Sequence, residues 1–283
     1  MTRYVVYDVF TDKAFGGNQL AVIPEASALP EELLQKIARE FNYSETTFVY
    51  PPVNSAHTAK VRIFTPTMEV PFAGHPTIGT ATALRDEGIA GDMVLELGVG
   101  PIPCALNDTG AAFTVTAPLE RFATPDPALL AEALSLPVAA IRTDTHVPVQ
   151  AGVGLDFVMV ELVDTAALNA IETNIAAFRD GVKRYPSGLD FAIFAYVRDD
   201  MQIDARMFAP LDNIPEDPAT GSACAGLAAL LTEELGRNLS LSILQGAAMG
   251  RPSHIAARTV AGAPVAVTIS GQAVRTMEGR LTL

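Results

Sequence analysis

The chain has 283 residues, of which 49% are hydrophobic and 18% charged, and its formal net charge is −13. That is enough apolar material for a sizeable core in one large domain or two ordinary ones, and it excludes a disordered chain. Lys and Arg are scattered, with Lys183–Arg184 the one adjacent pair, so the sequence shows no basic patch to displace counterions from nucleic acid or to hold an anionic membrane, and no apolar run nears the ~20 residues of a membrane-spanning helix.

From the N-terminus, apolar–polar alternation predicts strands at Tyr4–Phe10 and Leu20–Ile23. No basic n-region or cleavage site precedes the first strand, so a cytoplasmic location is expected. A helical pattern covers Glu31–Phe41, followed by strands at Thr46–Tyr50 and Lys60–Thr65. A second helix is predicted over Thr77–Asp86, then strands at Met93–Leu97 and Ala112–Ala117. The polar, Pro-rich stretch from Ala117 to Pro127 is the best candidate for a domain boundary. Beyond it, helical patterns lie at Pro127–Leu134, Thr165–Asp180 and Thr220–Leu235. Strand patterns lie at Phe157–Leu162, Phe191–Val197, Ile203–Ala209, Leu239–Leu244, Ala266–Ile269 and Ala273–Glu278. Strands outnumber helices and do not alternate with them one for one, which points to an α+β fold and not to a doubly wound parallel sheet.

The sequence also matches itself. Arg62–Pro71, RIFTPTMEVP, lies against Arg206–Pro215, RMFAPLDNIP, with the Arg, the Phe and both prolines coincident at a constant offset. After a small gap, His75–Ala83, HPTIGTATA, lies against Asp217–Ala225, DPATGSACA, which pairs His75 with Asp217. Two related halves are therefore expected, each with a strand, a Pro-containing loop and a helix that begins with small residues. Pro76 and Pro218 suit first-turn positions, and Asp217 is placed as an N-cap. A helix start exposes unpaired N–H groups at the positive end of its dipole, so two such starts converging on one cleft suit a carboxylate ligand.

Only Cys104 and Cys224 are present, which rules out a disulfide framework and fits a reducing compartment. The four His and two Cys have no metal-ligand spacing, and neither a dinucleotide-binding nor a phosphate-binding glycine motif occurs. No metal and no organic cofactor is expected.

Four segments together, GGNQLAVI around Asn18–Ile23, SETTFV at Ser44–Val49, FAGHPTIG at Phe72–Gly79 and EDPATGSA at Glu216–Ala223, resemble the PhzF-like isomerase family of phenazine biosynthesis. The resemblance covers the whole chain. It implies the fold of diaminopimelate epimerase and proline racemase: two pseudo-symmetric, β-barrel-like halves, each around a central helix. The halves expected are 1–117 plus the C-terminal strand about 272–283, and 118–271. A homodimer is implied by the resemblance alone. The racemases of that fold use a Cys beside each helix start; here the first corresponding place is read as Ala73 and the second falls at or near Ala219, so a two-thiol mechanism is not available. Cys224, inside an Ala-rich helix, reads as a packing residue. Two positions depart from the family pattern, Gln19 after GGN and Cys224 after GSA.

By motif, the resemblance makes Glu45 the general acid/base and His75, Asp217 and Ser222 the other catalytic groups. Asn18, Ser44, Gly74, Thr77, Thr220 and Gly221 are implied substrate contacts. A Glu must be raised from about 4.3 toward ~6–7 to shuttle protons well, which partial burial and a nearby Asp217 would favour. The expected activity is a cofactor-independent isomerisation, a double-bond shift in a small carboxylate-bearing metabolite. An epimerase or racemase on the same fold and a non-catalytic metabolite-binding protein are the alternatives.

Overall fold

A computed structural model of the chain describes residues 1–282. It divides into two compact units, the first formed by Met1–Thr114 with the chain from Ile269 onward, the second by Val115–Thr268.

The first unit contains β1 (Thr2–Val9), β2 (Asn18–Ile23), α1 (Glu31–Phe41), β3 (Glu45–Tyr50), β4 (Ala59–Phe64), β5 (Glu69–Val70), α2 (Gly74–Asp86), β6 (Met93–Leu97), β7 (Gly100–Leu106) and most of β8 (Gly110–Thr116), whose last two residues fall in the second. The second contains β9 (Glu120–Ala123), α3 (Pro127–Ala133), β10 (Val149–Gly152), β11 (Asp156–Glu161), α4 (Thr165–Asn169), α5 (Ile175–Arg184), β12 (Ile193–Asp199), β13 (Gln202–Ala209), β14 (Ile214–Asp217), α6 (Gly221–Leu235), β15 (Ser240–Gln245) and β16 (Ser253–Val260). The long β17 (Ala266–Leu281) begins there and ends in the first unit. No helix among the described residues is long and apolar enough to cross a membrane.

Helices α2 and α6 lack a polar face. Gly74–Leu84 of α2 and all but Ser222 of Gly221–Thr232 in α6 are buried. Small residues on every side let the surrounding strands close around them, so each unit is a barrel-like sheet around one buried helix. By contrast, α1 is amphipathic: Leu34, Ile37 and Ala38 are buried against Ile23, Phe48 and Phe64, and Asn42 ends the helix in a left-handed conformation.

The duplication is visible in strand pairing. In the first unit β1–β2 is antiparallel, β2–β3 parallel, β3–β4 and β4–β5 antiparallel, β4–β6 parallel and β6–β7 antiparallel. The second unit repeats this series with β10–β11, β11–β12, β12–β13, β13–β14, β13–β15 and β15–β16. The repeated Arg has the same work in both: Arg62 stacks on Phe64 and grips Glu69 with two nitrogens, while Arg206 stacks on Phe208 and grips Glu216.

These contacts correct the second block of the sequence repeat. Ile63 pairs with Val70, and its counterpart Met207 pairs with Asp217. The Arg-gripping acids are Glu69 and Glu216, the helix N-caps Ala73 and Thr220, and the first helical residues Gly74 and Gly221. The second unit therefore carries extra residues in the one-turn helix Pro210–Asp212 and the left-handed Asn213 that follows it. His75 corresponds to Ser222, not to Asp217, whose counterpart is Val70. Ala73 corresponds to Thr220, within the expectation of a counterpart at or near Ala219.

Other expectations are also corrected. Asp217 is the last residue of β14 and not an N-cap, and Pro218 precedes the helix. The single helix expected over Thr165–Asp180 is two, because Asn174 accepts the Ala176 N–H and caps a new start within it. The stretch 117–127 contains β9, and Ala266–Ile269 and Ala273–Glu278 are one continuous strand.

Candidate active site

In the first unit, β3 begins at Glu45, aligned with Leu20 of the parallel β2 and one residue before the Thr46–Phe64 pair with β4. The Glu45 side chain is 16% exposed, and its Oε2 lies 3.2 Å from Nδ1 of His75, which is 4% exposed. His75 is the second residue of α2, so the helix start sets its position. A pair of buried hydroxyls, Thr47 and Thr80, 2.9 Å apart, joins β3 to α2 one turn further on. Burial, the dominant cause, pushes the His75 imidazole down to about 3, against a smaller upward pull from the Gln19 backbone. Near neutral pH the ring is uncharged, so the contact with Glu45 joins an imidazole and a carboxyl group without a full ion pair. Among the described residues, buried His75 Nε2 has no hydrogen-bond partner.

Predicted substrate contacts of this unit lie beside the pair: Ser44 and Gly74 adjoin Glu45 and His75 in the chain, and Asn18 is bonded to Ser44. Asn18, the buried first residue of β2, accepts a hydrogen bond from Ser44 Oγ at 3.3 Å, immediately before Glu45. Gly74 is the buried first residue of α2, whose N-cap Ala73 supplies no side-chain cap. Thr77 instead spends its hydroxyl on the Ala73 carbonyl, at 2.8 Å.

In the second unit, Asp217, Thr220 and Gly221 are buried and Ser222 is partly exposed at the second position of α6. Thr220 Oγ1 donates to Asp217 Oδ2 at 2.6 Å. Sequence reasoning missed the residue that organises this segment. Gln245, the fully buried end of β15, donates from Nε2 to the Asp217 carbonyl and to Thr220 Oγ1, and its Oε1 accepts the Thr220 N–H. A lone Gln closing an apolar strand gives no signal of this in the sequence. Cys224 is fully buried; desolvation first, and then the charge of Asp217, drive its thiol far above the usual range. Burial raises Cys104 to about 12. Both thiols are thereby held protonated and unreactive.

Among the described residues no group of three or more His, Cys, Asp or Glu could hold a metal ion. In the first unit the candidate site is a carboxyl–imidazole pair at a helix start, a pairing whose chemistry can move a proton.

The sequence profile of the phenazine biosynthesis-like proteins matches residues 7–279. The trans-2,3-dihydro-3-hydroxyanthranilate isomerase of Pseudomonas aeruginosa is 36% identical, over 100% of both chains. The crystal structure of a PhzF-family phenazine biosynthesis protein from Bacillus anthracis superposes with a TM-score of 0.88 at 24% identity, covering 100% of this chain and 99% of that one. A probable proline racemase from Agrobacterium radiobacter shares the fold alone, with a TM-score of 0.62 at 13% identity over 100% and 93% of the two chains. With that fold, that coverage and that identity, the chain belongs to the PhzC–PhzF family of phenazine biosynthesis-like proteins and is an isomerase.

Proposed function

We propose that the chain shifts a double bond in a small carboxylate-bearing metabolite, with Glu45 carrying the proton. The observation that supports this best is the Glu45 carboxyl group, mostly buried and 3.2 Å from a buried imidazole that burial keeps uncharged. In the step, Glu45 takes a proton from a carbon next to an unsaturated system. The C–H electron pair moves into that system, the double bond migrates, and Glu45 returns the proton to a carbon further along. A proton so activated is within reach of a tuned carboxylate, whereas an isolated amino-acid α-proton is much harder to remove. In this reading neutral His75 packs Nδ1 against the carboxyl group and keeps Nε2 for substrate. Asp217 and Ser222 are proposed as further polar groups of the reaction. The P. aeruginosa relative is named for a dihydro-hydroxyanthranilate, and compounds of that kind are the first substrates to try.

Turnover in deuterated water tests the reading. Label entering a different carbon supports the isomerisation, label at an inverted stereocentre marks an epimerase, and absence of exchange with a ligand that binds marks a binding protein. Glu45→Gln should lower kcat by at least ~10³-fold, within the usual range for a general acid/base, and leave binding largely intact; an active variant would overturn the mechanism. Activity should survive treatment with a chelator, and sedimentation should give the mass of a homodimer.

A further inference from the structure

We propose that Gln245 is a positioning residue of the reaction, fixing the carboxylate of Asp217 through a directed Gln–Thr–Asp hydrogen-bond relay; this rests on Asp217 belonging to the active site.

The direction of the relay follows from donor and acceptor chemistry. Gln245 Oε1 accepts the Thr220 N–H at 3.0 Å, so the amide oxygen is assigned and Nε2 is the donor. Nε2 donates to the Asp217 carbonyl at 2.8 Å and to Thr220 Oγ1 at 2.9 Å. Since Thr220 Oγ1 receives that hydrogen, its own proton is committed to Asp217 Oδ2, 2.6 Å away. Oδ2 is therefore held as an acceptor, which favours the ionised carboxylate and fixes its rotation. The titratable neighbour on α6 is Cys224, whose buried thiol stays protonated.

The duplicated fold argues that this Gln is not needed to build the barrel. In the first unit β6 runs beside β4 with Lys60 opposite Glu96, and in the second β15 runs beside β13 with Asp204 opposite Leu244. The next residue is Leu97 in one unit and Gln245 in the other, and both are buried. In the first unit an apolar side chain fills this position, and the counterpart of Asp217 there is Val70, which has no carboxylate to fix. A buried amide is tolerable only when its hydrogen bonds are made, and here all of them go to the Asp217–Thr220 segment. Gly246 keeps that segment in reach: a Cβ there would sit 2.6 Å from the Pro218 carbonyl oxygen, so the end of β15 lies directly against it.

The test compares Gln245→Leu, Thr220→Val and Thr220→Ser by steady-state kinetics, thermal unfolding and ¹³C-carboxyl NMR titration of Asp217. We expect Gln245→Leu and Thr220→Val each to lower kcat by ~10–100-fold with KM within about threefold, and Thr220→Val, which removes the hydrogen bond to the carboxylate itself, to move the Asp217 titration midpoint upward. Thr220→Ser should recover most of what Thr220→Val loses. A folded Gln245→Leu with unchanged kcat overturns the proposal, as does an unmoved Asp217 titration in Thr220→Val or a Thr220→Ser as impaired as Thr220→Val. Should Gln245→Leu fail to fold, the two Thr220 variants decide alone. The titration needs no substrate, so it separates failure of the relay from failure of the Glu45 mechanism, which Glu45→Gln reports.

Discussion

His75 stays neutral because burial outweighs everything that would charge it, and this couples the site to stability. In the unfolded chain a His titrates near 6.5, whereas the folded chain takes up that proton only near pH 3. Between these values the unfolded state binds more protons, so stability falls as pH falls, by about 1.4 kcal/mol per pH unit for one proton. Replacing His75 by Gln should flatten the acid side of a stability–pH curve by up to that slope, measured from urea midpoints between pH 6.5 and pH 4. The Glu45–His75 contact could be anticipated from the sequence because each residue sits in a short motif of small and polar residues. Gln245 and the Thr47–Thr80 pair could not, since their partners are brought to them only by β15 and α2.

The two copies of the Arg–Phe element are the same device in different surroundings. Arg206 is 12% exposed, and besides Glu216 it donates to the carbonyls of Leu168 and Ile171. Arg62 grips Glu69 and Glu31, which are 42% and 71% exposed. Truncating Arg206 to Ala should cost about 2–3 kcal/mol, because it strands Glu216 and two carbonyls in a poorly solvated place. The same change at Arg62 should cost under about 1 kcal/mol, since water replaces what is lost; chemical unfolding of both variants checks the difference. On the central helices, Ala228→Leu should cost about 1–3 kcal/mol by overpacking, read from the thermal midpoint, because Ala228 has no exposed surface into which a longer side chain could turn. Sequence periodicity found these helices and most strands. It failed where residues are small: β16, SHIAARTV, alternates buried and exposed along its length, but its buried positions include Ser253 and Ala257. It also misjudged the repeat, because the Pro–x–x–Gly pattern recurs at two nearby spacings and only the pairing of β4 with β5 and β13 with β14 chooses between them.

At the scale of the molecule, β1 is paired along its whole length with β17, from Thr2 opposite Leu281 to Val9 opposite Ala273. A chain ended after Thr268 should therefore leave β1 without that ladder and expose the first unit to protease, while Val115–Thr268 keeps its own strands; limited proteolysis with mass mapping would show which unit is cut. The duplicated architecture was readable from Arg62–Pro71 and Arg206–Pro215, but the closing of the first barrel depends on the pairing of Thr2–Val9 with Ala273–Leu281, far apart in the sequence. Synthesis on the ribosome gives that pairing a temporal side. Every strand of the second barrel up to β16 is in hand before β17 emerges, whereas the first barrel must wait with one flank open until Ala273–Leu281 arrives, so the half translated first is the half completed last.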